Sequence, residues 1–360
     1  MKVDLIAAGT RMTEAGDLAR QVKAGGWSGI AFAEGGRTAY LSCGAAALAV
    51  PELDYTTAVA LAFPRSPTVT AMSAWSLQKL SGGRFVLGLG AGWYEAEFTG
   101  TGNPFPALGE RMKALEETAI LLRRLWTEER VTFAGRHFHV SEAWCEPKPA
   151  RRTPILIGGA GEKVLLRIAA QHADIWNNLA VFQAQLGAKV EALRRRCDDV
   201  KRDFSEIRVS QQCVVVIEED EARARESLEK AKKIYGGHMG AALEEHGIWG
   251  SPERVIDCIE KHRKLGCGLL VVEFFGRDTR VPARLFAERV LPEIATIAPL
   301  SEDQFRRWHL TRALTAMGAA TETDLRMYLT FPKLGAPARR RAALERRPAG
   351  EVHQPVDEVA

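Results

Sequence analysis

Eight short apolar runs, separated by stretches of helical periodicity, constrain the fold of this chain more than any other feature. The runs are nearly continuously apolar, as parallel strands are when both faces of their sheet are covered. Eight is the number of strands that closes a (β/α)8 barrel, so we predict an α/β fold of the TIM-barrel class. An open doubly wound sheet has the same periodicity and stays an alternative, which the strand count disfavours. The predicted strands are Val3–Ala8, Gly29–Ala33, Thr56–Ala62, Arg84–Leu89, Pro154–Ile157, Asp174–Asn177, Arg208–Ile217 and Leu269–Phe275.

Two segments interrupt the alternation. A hairpin is predicted from Val131–Phe133 and His137–Val140, and residues 232–250 form a longer connection. Insertions of this kind usually shape the mouth of a barrel.

Two of the predicted helices have recognisable features. One begins after Ser66, a capping residue, with Pro67 in its first turn, and runs to Leu80. The other, Glu110–Trp126, has apolar residues at helical spacing, and its remaining charged residues are expected on the outer face. These charged residues are Arg111, Glu116, Glu117 and Arg123.

Composition narrows the classes of protein to consider. With 360 residues, 46% of them hydrophobic, the chain can bury one large core. No apolar run approaches the roughly 18 residues of a membrane span, and the amino terminus has a strand pattern rather than a signal peptide, so a cytoplasmic protein without a membrane partner is expected. The net charge of +4 is too small to imply nucleic acid. Neither the six scattered cysteines nor the hairpin pair His137 and His139 forms a complete ligand set, so no metal is expected.

The fourth predicted strand ends in three alternate glycines, Gly88, Gly90 and Gly92. Glycine lets backbone amides approach a ligand closely, and the carboxyl ends of parallel strands are where such folds place their sites. The dinucleotide fingerprint G-x-G-x-x-G is absent, because Trp93 and Glu95 occupy its last position in the two frames. A ligand-facing loop and a plain glycine turn both stay open at this point.

Seven segments of the chain follow one another in a specific order and spacing. They are Ala62–Pro67, Leu80–Trp93, Gly109–Met112, Phe133–Phe138, Pro147–Pro149, Pro154–Gly159 and Ala173–Asn177. Together they resemble the luciferase-like monooxygenase superfamily, most closely its branch dependent on the deazaflavin coenzyme F420, and the resemblance covers residues 1–298. It implies a TIM barrel with an insertion that binds a flavin or deazaflavin in its mouth and moves hydride at the ring centre.

The loop after the fifth strand is the expected contact for a cofactor phosphate. Gly158, Gly159, Ala160 and Gly161 lead toward a helix predicted to begin near Glu162. Free amides and the helix dipole favour phosphate at such a place, although a plain strand-to-helix turn is the alternative.

For the tricyclic ring, the resemblance points to the end of the third strand. Some deazaflavin enzymes have a bulge with a non-prolyl cis peptide there, and the corresponding residues are Thr57, Ala58 and Val59. An ordinary buried strand remains the default for this segment. Other expected cofactor contacts are Gly90 and Gly92, and Asn177, which can hydrogen-bond the ring or the substrate or simply form a turn.

Glu34 is the predicted catalytic residue, because it follows the second strand and can protonate substrate or orient a reacting group. The family pattern has a histidine after the acid, whereas this chain has Gly35. Arg37 and Tyr40 are candidates to take the role of this missing histidine. Glu273, near the end of the last strand, is a second acid candidate.

The remaining expectations concern the tail and the function class. Residues 299–350 are predicted to form a helical extension that resembles part of a winged-helix unit, and residues 351–360 to be disordered. The favoured function is an oxidoreductase that uses F420 and a small organic substrate. An FMN-dependent monooxygenase using oxygen and a non-catalytic ligand-binding barrel are the alternatives, and a homodimer is left open.

Overall fold

The structure is a computed structural model that describes residues 1–7, 10–34, 38–149, 151–239 and 242–294. The predicted helical extension over 299–350 and the predicted disordered tail over 351–360 lie outside the described residues. The predicted barrel boundary at 298 lies outside them as well.

Eight parallel strands form a closed barrel, which confirms the predicted fold class. Each strand pairs with the next in chain order, and β8 pairs with β1 to complete the ring. The strands are β1 (Lys2–Ala7), β2 (Gly29–Phe32), β3 (Asp54–Thr57), β4 (Phe85–Gly90), β5 (Ile155–Gly158), β6 (Ile175–Asn178), β7 (Arg208–Ile217) and β8 (Cys267–Phe274). A short strand, Ile248–Gly250, pairs with the end of β7 outside the ring.

The third predicted strand differs from the observed one. The expected run Thr56–Ala62 divides into β3 and a two-residue strand, Ala60–Leu61, which pairs with β4. The division falls at the Ala58–Val59 peptide bond, which is cis. Apolar residues continue through the whole segment, so their pattern alone gives no sign of the break.

Helices follow the strands and surround the barrel. They are Ala15–Ala24, Ala39–Ala49, Pro67–Leu80, Glu95–Thr99, Leu108–Thr127, Leu165–His172, Leu186–Asp199, Glu221–Met239, Leu243–His246, Pro252–Lys264, Arg280–Arg289 and Leu291–Ile294, with 3-10 turns at Met12–Glu14, Ala180–Gln185 and Phe204–Glu206. The helix after Ser66 begins at Pro67 as predicted. The Ser66 hydroxyl lies 2.8 Å from that of Thr68 and caps no backbone amide, so the predicted side-chain cap is wrong.

The helix Leu108–Thr127 buries charged residues that the sequence assigned to its outer face. The predicted hairpin is present as Val131–Ala134 paired with His139–Ala143. Its turn packs over Glu117, whereas Arg111 lies against the Phe105 ring and Glu116 pairs with Lys113 and Arg167. The outer-face prediction is therefore wrong for three residues, which are buried: Arg111, Glu116 and Glu117.

Glu117 ties this hairpin to the barrel. Its carboxylate accepts hydrogen bonds of 2.8 to 3.2 Å from the backbone amides of the hairpin turn, namely Arg136, His137 and Phe138. Burial raises the pKa of Glu117, the three amide bonds lower it, and the net pKa lies below its ordinary value. The buried carboxylate therefore replaces the hydrogen bonds that the turn cannot make within the hairpin.

The lower half of the barrel interior is filled by large apolar side chains and one carboxyl group. Leu156, Ile175, Leu269 and Val271 pack together there. Asp4 of β1 is buried beside them, and its Oδ1 has no hydrogen-bond partner. A Cβ on Gly29, the residue paired with Asp4 on β2, would lie 2.9 Å from Asp4 Oδ1 and 2.4 Å from the carbonyl oxygen of Asp54, so only glycine fits there.

Asp4 makes the stability of the fold depend on pH. Burial, followed by the nearby charge of Asp54, raises the pKa of Asp4 from 3.8 to about 7, against the lowering effect of Lys2 and Arg208. The folded protein holds the proton of Asp4 more tightly than the unfolded chain does, so the contribution of Asp4 to stability is fully present below the pKa of the unfolded chain. That contribution is lost as the pH rises through about 7.

We therefore expect Asp4→Asn to stabilise the protein at pH 8 by about 2 to 4 kcal/mol, because the amide removes the cost of a buried charge. The difference from the wild type should disappear near pH 4. Urea unfolding across this pH range measures it, with Asp17→Asn as control because Asp17 lies exposed beside Arg20. Equal pH dependence of the wild type and Asp4→Asn would contradict the assignment.

Candidate active site

The mouth of the barrel is lined by small residues where a TIM barrel usually packs bulky ones. Around the carboxyl ends of β2 to β5, alternation along the strands places only alanine and glycine toward the barrel axis. Val86 lies deeper in the barrel than these alanines and glycines and stays partly exposed, as do Ile6 and Val59. The result is a hollow bordered by the exposed Ala33 and the partly exposed Ala58, Val59 and Gly158, with the buried Ala31, Gly88 and Gly90 beneath it.

The Ala58–Val59 bulge forms one wall of the hollow and accounts for two of the strand glycines. A Cβ on Gly88 would lie 1.8 Å from the carbonyl oxygen of Thr57, and a Cβ on Gly90 would lie 2.6 Å from Cγ2 of Val59. The Thr57 hydroxyl bonds both the amide and the carbonyl of Gly88 at 2.9 Å. Thr57 is fully buried, so its side chain holds the bulge in place while Ala58 and Val59 border the hollow.

Glycine is required at position 92 for a different structural reason. Its φ is +77°, and a Cβ there would lie 2.4 Å from the ring of Phe98, which packs against Phe63 and Phe105. The next two residues, Trp93 and Tyr94, are exposed, with ring centroids 5.5 Å apart. The glycines of this strand therefore allow close packing of the chain against itself at the edge of the hollow.

The loop after β5 offers free amides beyond Gly159. The Gly159 amide donates to the Asn177 carbonyl at 3.1 Å, and the Gly159 carbonyl accepts from Trp176 Nε1 at 2.7 Å. Its φ of +134° and a Cβ position 2.5 Å from Leu165 make glycine a structural requirement. The helix begins at Leu165, three residues after the predicted Glu162, because residues 162–164 form a turn. Across the described residues, the amides of 160–162 have no hydrogen-bond partner.

Asn177 presents its amide to the hollow. Its Oδ1 accepts from the Ser210 hydroxyl at 2.8 Å, and this bond orients Nδ2 away from Ser210. The neighbouring Asn178 instead bonds Gln211 and the Phe182 carbonyl, and so it supports β6 and β7 from outside the barrel. Gln212 of β7 faces the same interior side as Ser210. Gln212 was not among the predicted site residues, although a polar triplet in an otherwise apolar strand was a usable signal.

Glu34 follows β2 and is held by two donors. Its Oε1 accepts from Nη2 of Arg65 at 2.8 Å, and its Oε2 accepts from the Ala39 amide at 2.7 Å. The Arg65 guanidinium also lies 4.7 Å from the centroid of the Tyr40 ring. Tyr40 is buried, and burial raises the pKa of its phenol, so this hydroxyl is neutral at pH 7. Arg37 lies outside the described residues.

Glu97 lies close enough to Glu34 for the two carboxyl groups to interact. Burial, and then the charge of Glu34, raises the pKa of Glu97. No local pattern connects Arg65 or Glu97 to Glu34, because they lie 31 and 63 residues further along the chain.

Glu273 lies on the interior face near the end of β8. Its Oε1 accepts from the Tyr235 hydroxyl at 3.3 Å, and burial raises its pKa. In the hairpin, His137 Nε2 lies 3.1 Å from Glu110 Oε2. Within the described part of the chain, no three histidine, cysteine or acidic residues come together as metal ligands.

Two surface pockets lie apart from these residues. One of about 230 Å³ is lined by Trp249 and Arg254, and one of about 380 Å³ by Trp75 and Lys148. Neither is lined by a predicted site residue. Of the helices that the structure describes, none has the length and apolar character to cross a membrane.

Curated relatives of this chain include enzymes that use F420 and enzymes that use FMN. An F420-dependent glucose-6-phosphate dehydrogenase of Intrasporangium calvum is 37% identical over 114 residues, which cover 31% of this chain and 34% of that protein. An FMNH(2)-dependent dimethylsulfone monooxygenase of Pseudomonas putida is 24% identical over 217 residues, 58% of each chain. The matched segments thus span between about a third and somewhat more than half of these relatives.

The solved structures that resemble this chain show the same fold. An F420-dependent secondary alcohol dehydrogenase, in complex with an F420–acetone adduct, superposes with a TM-score of 0.68 at 18% identity, over 80% of this chain and 98% of that one. The family model described as luciferase-like monooxygenase matches residues 3–268, most of the described barrel. The chain therefore belongs to the luciferase-like monooxygenase family.

Proposed function

We propose that this protein transfers hydride between coenzyme F420 and a small organic substrate, with the deazaflavin ring in the hollow of the barrel mouth. The observation that carries the proposal is the hollow itself. Ala33, Ala58 and Gly158 at its border have no side chain beyond a methyl group, and Gly88 and Gly90 beneath them add none, so no large side chain from these strands stands where a flat ring would lie. Curated relatives that use F420 support this choice of cofactor.

The residues at the mouth fit such a cofactor. Ala58 and Val59 offer an apolar surface behind the ring, with Thr57 holding the bulge. Asn177 has an amide donor for the ring or the substrate, and Gly90 and Gly92 border the opening. The phosphate is expected at the loop Gly158, Gly159, Ala160 and Gly161, where the free amides of Ala160 and Gly161 can donate. When bound, the deazaflavin supplies or accepts the hydride.

Glu34 has an orienting role in this proposal. Both of its oxygens are occupied, one by Arg65 and one by the Ala39 amide, so the carboxylate fixes the guanidinium at the edge of the hollow. Arg65, held in this way, can position a polar group of the substrate. An ordered charge at the reacting centre contributes to rate because it needs no reorganisation during the reaction.

An FMN-dependent monooxygenase that uses oxygen is the second candidate function. The match to a dimethylsulfone monooxygenase that uses reduced FMN favours it. The apolar wall of the hollow can contact either tricyclic ring. A non-catalytic ligand-binding barrel is the third hypothesis, and cofactor binding without turnover would support it.

Titration of the purified protein with F420 and with FMN separates these functions. We expect F420 to bind more tightly, as measured by fluorescence quenching of the cofactor. Tighter binding of FMN would favour the monooxygenase, and failure to bind either cofactor would overturn the proposed function.

Gly161→Val tests the phosphate contact in the same titration. Gly161 is exposed and its Cβ position is 3.8 Å from the nearest atom, so valine fits the fold but crowds the free amides. Gly109→Val is the matched control, because a Cβ at Gly109 would meet nothing within 4 Å. A loss of about 1 to 3 kcal/mol in binding is expected for Gly161→Val alone.

Glu34→Gln tests the orienting role. The amide keeps the size of the side chain but removes the ion pair with Arg65, so we expect turnover to fall by about tenfold or more, with cofactor affinity changed by only a few-fold. Glu129→Gln, at an exposed position, is the control. Normal turnover of Glu34→Gln would leave Glu34 with a structural role only.

We also propose that the protein is a cytoplasmic homodimer. All six cysteines are free and buried, as a reducing compartment would leave them. The helices Ala39–Ala49 and Pro67–Leu80 expose large apolar side chains, a feature typical of protein interfaces. These side chains are Leu41, Leu48, Val69 and Met72.

A charged residue in this apolar surface should prevent self-association. Light scattering is expected to give the mass of a dimer for the wild type and of a monomer for Leu48→Glu. Ile234→Glu, at an exposed position on another helix, is the control. A monomeric wild type would contradict the dimer.

A further inference from the structure

Glu273 is a second carboxyl group at the mouth, separated from Glu34 by β1. On β8 it shares the interior face with Leu269 and Val271, which pack in the barrel core two and four residues earlier. This alternation places the Glu273 side chain on the interior side of β8, where Tyr235 of the helix Glu221–Met239 contacts it. Phe274, the next residue, points the other way and packs against Trp27 and Phe286.

Tyr235 fixes one oxygen of Glu273 and leaves the other available. The Tyr235 hydroxyl donates to Oε1 at 3.3 Å, and Oε2 has no hydrogen-bond partner among the described residues. The Glu273 side chain is half-buried, and Oε2 is not one of the fully buried unpartnered oxygens, so Oε2 is open to solvent. Tyr235 is itself positioned by Phe275, whose ring centroid lies 6.2 Å away, and it contacts the apolar cluster under the helix Glu221–Met239.

The surroundings of Glu273 are apolar apart from this tyrosine. Its neighbour on β7 is Val214, and its neighbour on β1, by continuation of the Leu5–Val272 pairing, is Ile6. Gln212 lies one level deeper on β7 and is uncharged. In the described parts of the chain, Tyr235 is the one titratable group in contact with the Glu273 carboxyl.

Burial raises the pKa of Glu273, and the bond from Tyr235 lowers it only in part. Burial, followed by Glu273, in turn raises the pKa of Tyr235 to about 12. The pair therefore holds a proton more tightly than an exposed glutamate does. A carboxylic acid that holds its proton more tightly than usual can act as a general acid.

We propose that Glu273 is the acid that delivers a proton to the substrate, with Tyr235 as its positioning residue. This inference rests on the proposed function and narrows the substrate to a molecule with a polarised C=O or C=N bond. Hydride from the reduced deazaflavin, which is oxidised by two electrons, forms a C–H bond at carbon. The π pair moves to the heteroatom, which takes the proton from Oε2 and leaves Glu273 as a carboxylate.

Glu34 is less suited to this step. Each of its oxygens already accepts a hydrogen bond, one from the charged Arg65 guanidinium and one from the Ala39 amide, so Glu34 has fewer open positions for a substrate than Oε2 of Glu273. Glu273 has a free oxygen, and Tyr235 acts on the other. The two carboxyl groups therefore divide the work, with Glu34 orienting Arg65 and Glu273 supplying the proton.

The first experiment uses the cofactor-free protein. Carboxyl ¹³C NMR should show a titrating signal above the ordinary range of glutamate in the wild type that is absent in Glu273→Gln, a comparison that separates it from Asp4 and Glu97. Tyr235→Phe should move this signal to higher pH, because the bond that stabilises the carboxylate is lost. Glu219→Gln, an exposed change after the end of β7, should leave it unchanged.

The second experiment measures substrate reduction against pH with F420 bound. We expect the wild-type kcat to fall as the pH rises through the pKa of Glu273, and Glu273→Gln to be slower by at least tenfold with that fall removed. Tyr235→Phe should shift the fall to higher pH. Cofactor affinity should stay within a few-fold in all variants.

The outcomes separate the two proposals. If the wild type binds cofactor and reduces substrate while Glu273→Gln has the same kcat and the same alkaline fall, Glu273 is not the acid and only this inference is overturned. A Glu273 signal in the ordinary glutamate range would also overturn it. If the wild type binds neither F420 nor FMN, the proposed function fails and this inference fails with it.

Discussion

The close contact between β4 and the Ala58–Val59 bulge is the constraint on which the rest of the mouth depends. The carbonyl of Thr57 occupies the space where any residue but glycine at position 88 would put its Cβ, and Val59 does the same at position 90. Because these positions are glycine, the bulge can lean into the barrel and no side chain from β4 fills the hollow. The lower half of the barrel, packed with Leu156, Ile175 and Leu269, carries the stability that this open upper half does not.

The parts of this structure that sequence could predict are those that local pattern determines. Most barrel strands are largely apolar and buried on both faces, and β7 was placed at Arg208–Ile217 without error although it contains the polar triplet Ser210–Gln212. The hairpin and the helix start at Pro67 follow from local turn chemistry. The break in the third strand could not be predicted from the residues alone, because a cis peptide leaves no trace in hydrophobic periodicity. Only the family resemblance pointed to it, and an ordinary buried strand was the default prediction.

The prediction of the outer face of Leu108–Thr127 failed for a physical reason. Helical periodicity shows which side of a helix is polar, but it does not show what covers that side. Here Glu117 is buried because a hairpin turn supplies three amide donors to its carboxylate. The same limit applies to the candidate site, where Arg65 joins Glu34 and Tyr235 joins Glu273 across the fold. Residue type suggested the acids, and only the tertiary structure gave their partners.

Those partners explain how the site can lack the imidazole that follows the acid in the family pattern. Charge and hydrogen bonds hold Glu34 in a fixed position, whereas burial beside an uncharged tyrosine leaves Glu273 with a raised pKa and a free oxygen. Two carboxyl groups in such different environments can perform the two tasks, orientation and proton transfer, that an acid and an imidazole would otherwise share. Because all eight strands end at the same mouth, a proton donor on β8 can replace one beside β2 without any change in the fold. Glycine at position 35, where the family pattern has histidine, is therefore compatible with an active enzyme.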